Sequence, residues 1–95
     1  MDHLIKALDS GKRRGYDEVR PLDSIQYLFQ YAIKKEKENY VTYFLKIEES
    51  KYDVFEDYAD ETILTFSTLK DALQYLEGKG ADINKLSPIK GTLPF

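Results

Sequence analysis

In DHLIKALD (2–9), Leu4, Ile5 and Leu8 recur at helical spacing, which predicts a short helix ended at Gly11. The glycine-bracketed GKRRGYDEVRP (11–21) reads as a polar connection. From Leu22 to Lys37 a stripe of Leu22, Ile25, Leu28, Phe29, Ala32 and Ile33 predicts a long helix, with Asp23 or Ser24 as its cap. Its end, KKEKEN (34–39), sets cations at the negative end of the helix dipole.

At Tyr40 the period changes to two. In YVTYFLKIE, Val41, Tyr43, Leu45 and Ile47 share one face, and Thr42, Phe44, Lys46 and Glu48 share the other. KYDVFEDY (51–58) alternates less cleanly, and ETILTFS (61–67) is rich in β-branched and aromatic residues, so both read as further strands. Helical spacing returns at STLKDALQYLEGKG, where Thr68 and Asp71 resemble a capping box and Leu69, Ala72, Leu73 and Leu76 form the apolar stripe. The tail ADINKLSPIKGTLPF is too apolar to hang free and is expected to dock as an extended segment or edge strand. DSIQYL (23–28) and DALQYL (71–76) echo each other, but their flanks do not match, so no duplication is read from them.

These elements predict one α+β domain over residues 1–95. It has a three-stranded antiparallel meander, four-stranded if the tail adds a strand, packed against two to three helices in the order helix, helix, three strands, helix, tail. With 95 residues the chain supports one modest core. It has no cysteine, which removes disulfides and thiolate chemistry and fits a reducing cytoplasm. No apolar run approaches the ~20 residues of a membrane span, and the N-terminal residues do not read as a secretory signal.

The net charge of −3 is concentrated locally: residues 47–61 hold one lysine against seven acids. A two-residue turn at Glu49-Ser50 would pair Lys46 with Asp53, Phe44 with Phe55, Leu45 with Val54, Ile47 with Tyr52 and Glu48 with Lys51, all favourable cross-strand neighbours. The outer face of that hairpin would show Phe44 beside Phe55 within a rim of acids, unless the tail packs over it. This pattern resembles an interface anchor with a polar rim. The candidate partner-binding residues are therefore Phe44, Phe55, Asp53, Asp57, Glu48, Glu49, Glu56, Asp60 and Glu61.

Candidate chemistry is sparse. His3 is the only histidine. Adjacent acids on a strand point to opposite faces, so they make no preset catalytic dyad. SGKRRG (10–15) lacks the phosphate-loop pattern, and there is no Gly-x-Ser-x-Gly. No catalytic residue, cofactor or metal is expected. The expected function is a non-enzymatic protein-binding module of inhibitor or immunity type, meeting a basic protein surface through residues 48–61. The alternatives are a nucleic-acid-associated regulator using Lys12, Arg13 and Arg14, and a homo-oligomer pairing its aromatic sheet face around a small ligand.

Overall fold

Residues 22–37, with the longest helical stripe, are not helical. In the computed structural model, which describes residues 1–54, 58–89 and 93–95, helix α1 (Asp2–Asp9) is followed by strands β1 (Arg14–Leu22), β2 (Ile25–Glu36) and β3 (Asn39–Glu48). A 3₁₀ turn (Glu49–Val54), strand β4 (Asp60–Phe66), helix α2 (Leu69–Gly78), a second 3₁₀ turn (Ile83–Lys85) and the short strand β5 (Ser87–Pro88) come next. The sheet is antiparallel with order β4-β3-β2-β1-β5. The α+β class stands, but among the described residues the sheet has five strands, and a hairpin occupies the place of the second helix.

The reason lies in the position of β2. It is the middle strand, and both of its faces carry packed side chains, one under the helices and the other under the tail. Tyr27, Phe29, Tyr31 and Ile33 face the helices, while Leu28 and Ala32 face the other side. Two interleaved apolar sets hide the two-residue alternation and imitate a helical stripe. β1 escapes notice for a different reason. Its inward side chains are Tyr16, Glu18 and Arg20, a polar set where an apolar one would be looked for. Arg20 donates to the Tyr31 hydroxyl at 2.8 Å, Tyr31 donates to Glu18 at 3.1 Å, and the Arg20 guanidinium lies 4.1 Å above the Phe29 ring. Glu18 also sits 3.1 Å from Arg20 Nε, so the network balances its own charge.

Asp23 and Ser24 are the two residues of the β1–β2 turn, between the paired Leu22 and Ile25. Their φ angles are +50° and +67°, the pattern of a type I′ turn, which matches the strand twist but strains residues bearing a Cβ. Ser24→Gly is therefore expected to stabilise the fold by about 1 kcal/mol. Thermal denaturation should show a midpoint roughly 4–8 °C higher. An unchanged midpoint would mean the turn carries no such strain.

Helices α1 and α2 cover one sheet face. Leu4 and Leu8 of α1 and Ala72, Leu73 and Leu76 of α2 pack on Phe29, Tyr31, Ile33 and Phe44. Thr68 caps α2 as its sequence predicts, its hydroxyl accepting from Asp71 N–H at 3.2 Å. The second face carries a smaller cluster of Ala32, Tyr43 and Leu45, covered by Leu93 and Phe95 of the tail. Arg13 donates to the Phe95 main-chain oxygen at 2.9 Å, and Asp82 N–H donates to the Tyr16 hydroxyl at 2.7 Å. The tail thus docks, as expected, both as an edge strand and across the sheet. Among the described residues no helix is long and apolar enough to cross a membrane.

Candidate functional site

Strand register decides which charges meet. Glu48 pairs with Tyr27, Asp60 with Lys46 and Glu61 with Leu45. The end of β3, the start of β4 and the β1–β2 turn therefore lie at the same end of the sheet. The 3₁₀ turn that continues β3 adds Glu49 and Asp53. Asp23, Glu48, Glu49, Asp53, Asp60 and Glu61 thus gather at one end. Lys12, Arg13, Lys34, Lys35 and Lys37 lie at the other, because Arg14 pairs with Ile33. A twelve-residue strand spans about 40 Å, and the longest dimension of the molecule is 37 Å. The acidic cluster thus lies nearly the full length of the protein from a net-basic end, where Lys34 and Lys35 are paired with Glu36 and Asp9.

The acidic end is also apolar. Leu22, Ile25, Tyr52, Val54 and Tyr58 are each 38–56% exposed there. The end's two lysines lie over tyrosine rings, Lys46 at 5.0 Å from Tyr27 and Lys51 at 4.9 Å from Tyr58. Among the described residues, none of the six carboxylates is in an ion pair; the three ion pairs are Arg20–Glu18, Lys34–Glu36 and Lys35–Asp9. An open cleft of about 430 Å³ runs between the β1–β2 turn and the 3₁₀ turn, bounded by Ser24, Ile25, Gln26, Glu48, Glu49 and Ser50.

A second open cleft, of about 370 Å³, lies on the tail-covered face, where Gln30, Tyr43, Tyr52 and Glu61 meet Leu93 and Pro94. Tyr43 donates to Glu61 at 2.7 Å. Burial, reinforced by that carboxylate, raises the phenol well above its ordinary range, so Tyr43 stays protonated and holds Glu61 at the cleft rim. Carboxylates, phenol rings and short apolar side chains together suit ammonium and guanidinium groups carried on an apolar surface.

No protein-family model, no curated protein and no solved structure matches this chain. The site is therefore read from its own chemistry.

The nine expected partner-binding residues divide. Glu48, Glu49, Asp53, Asp60 and Glu61 gather as a group, but not on a hairpin: residues 49–54 form a 3₁₀ turn, and the strand beside β3 is β4. Phe44 is 4% exposed and packs on Phe29 and Tyr31, because the even-numbered residues of β3 face the helices. Its ring is core and offers no surface anchor. Phe55, Glu56 and Asp57 lie outside the described residues. His3 is exposed in α1, and no group of three or more metal-binding side chains is found among the described residues. In the basic loop Lys12 is exposed, Arg13 holds Phe95, and Arg14 starts β1.

Leu22, Asp23 and Ile25 were not foreseen at this site. They reach it only through the β1–β2 turn. The available signal was the turn-forming pair Asp-Ser between Leu22 and Ile25.

Proposed function

We propose that the chain is a non-enzymatic binding module that docks a basic protein surface with its acidic, apolar end. The observation that carries this reading is the co-location of six carboxylates outside any described ion pair with five exposed apolar side chains, at one end of an elongated molecule. The carboxylates steer a cationic partner toward this end. Leu22, Ile25 and Tyr52 supply the apolar contact that a purely electrostatic encounter lacks. Phe44 has no part in it.

The test is capture from the native host's lysate at low and high salt, comparing the natural chain with the variant Glu49→Lys plus Asp53→Lys. Both positions are exposed, so the variant should fold normally. The expected result is a basic protein retained by the natural chain at low salt, and released both by high salt and by the reversal. With the captured partner purified, affinity should fall about tenfold or more, mainly through a slower on-rate. Capture that neither salt nor the reversal weakens would overturn the proposal.

A further inference from the structure

The sheet has two edges, and they are treated differently. At one, β5 pairs with β1 at Arg14 and Gly15, and Pro21 interrupts the open part of β1. At the other, β4 has β3 on one side and no described strand on the other. Its seven residues, DETILTF, contain no proline, glycine or lysine. Ile63 and Leu64 are 46% and 40% exposed and point to opposite faces. A row of open N–H and C=O groups flanked by β-forming side chains is a template for another strand.

We infer that β4 pairs with β4 of a second copy of the chain, antiparallel about a two-fold axis through Ile63, giving a continuous ten-stranded sheet. The axis stands perpendicular to the sheet, so residues of equal parity oppose each other. Ile63 then faces Ile63, Thr62 faces Leu64, Glu61 faces Thr65 and Asp60 faces Phe66. No like charges oppose each other across the new pair.

Charge selects the second copy as the occupant. Antiparallel pairing lays the acidic end of each copy beside the basic end of the other. Asp60 and Glu61 come next to the far end of the partner copy's β4, where Lys70 is exposed in the first turn of α2. Among the described residues Lys70 has no ion-pair partner. Behind it lie Lys37 and, already paired with Glu36 and Asp9, Lys34 and Lys35. A seven-residue edge buries less than the ~1,200 Å² of a standard stable interface, so the dimer is weak and concentration-dependent. The edge shares Asp60 and Glu61 with the acidic end, but Ile63, at the centre of the pairing, lies outside that end, so Ile63→Lys tests this inference apart from the proposed partner.

Analytical ultracentrifugation of the full chain from micromolar to millimolar concentration tests it, with amide hydrogen exchange of β4 read in parallel. The expected result is a rise from one-chain toward two-chain mass, with the β4 amides slowing as the dimer fills. Ile63→Lys sets two ammonium groups against each other on the axis and should weaken the dimer about tenfold or more, with the dilute chain keeping its circular dichroism and melting point. Lys70→Glu, outside the strand, should also weaken it. A one-chain mass at every concentration, or a dimer that Ile63→Lys leaves intact, would overturn the inference. So would β4 amides that gain protection only from an added extended peptide, which would assign the edge to a foreign strand.

Discussion

Replacing Gly15 with alanine is expected to destabilise the protein by about 3 kcal/mol. Gly15 lies in β1 between Ala32 of β2 and Ser87 of β5. A Cβ at this position would collide with the Tyr31 carbonyl oxygen and stand 3.0 Å from the Cα and Cβ of Ala32. These are mostly main-chain atoms of the central strand, which cannot swing aside as a long side chain would. The strands must separate, and the β5 pairing and the Ser87 Oγ–Gly15 O hydrogen bond go with them. A domain of this size has only about 5–15 kcal/mol in total, so the loss is large. The midpoint should fall by roughly 12–24 °C. Gly78→Ala provides the control: nothing lies within 4 Å of a Cβ there, and the residue ends α2, so the change should be neutral or stabilising. Equal melting of Gly15→Ala and the natural protein would disprove the close approach of β1 to β2.

The second large effect is loss of stability at alkaline pH. Burial pushes Tyr31 up to about 12; the hydrogen-bonded Glu18 carboxylate adds to the rise and the Arg20 guanidinium opposes it. Burial also raises Tyr16 and Tyr75, and burial with Glu61 raises Tyr43. In the unfolded chain these phenols return to an ordinary value near 10. Above that value the unfolded state gives up protons that the folded state still holds, so rising pH favours unfolding. The contribution is complete below pH 10 and is lost as pH climbs toward 12. Circular dichroism should be lost in one steep alkaline transition as these four phenols ionise. Tyr31→Phe removes one group that must ionise and should make that transition shallower. Smooth ionisation with the fold intact would refute the argument.

β3 and α2 were legible in the sequence. β3 alternates cleanly although both of its faces are buried from Thr42 to Leu45. α2 shows both its stripe, with Ala72, Leu73 and Leu76 buried, and its Thr68 cap. The first hairpin was not legible. Its outer strand turns Glu18 and Arg20 inward, and its inner strand is apolar on both faces, so neither displays the simple alternation by which a half-buried strand is recognised. The acidic stretch was legible as charge but not as shape. Tyr52 and Val54 suggested a buried strand face, yet both are exposed on a 3₁₀ turn, because β4 supplies the pairing that β3 needs. Of the candidate site, five of the six carboxylates were therefore written in one run of acids. Leu22, Asp23 and Ile25 depend on a strand pairing that only the Asp-Ser turn between them signals.

The docked tail has a consequence for the order of assembly. The β1–β2 and β2–β3 turns leave only two residues between paired strands, so these hairpins close small loops. The Tyr16–Asp82 and Arg13–Phe95 bonds join residues 66 and 82 positions apart. Closure entropy rises by about 0.6 kcal/mol for each doubling of loop length. Made first, those bonds would carry the highest entropic cost in the molecule. Once α2 has settled on the sheet and Ala81 is buried beneath it, only a short segment separates that fixed point from Ser87. The tail thus inherits a short loop from the helix before it. It is expected to join the fold late, as a clasp over a sheet already formed.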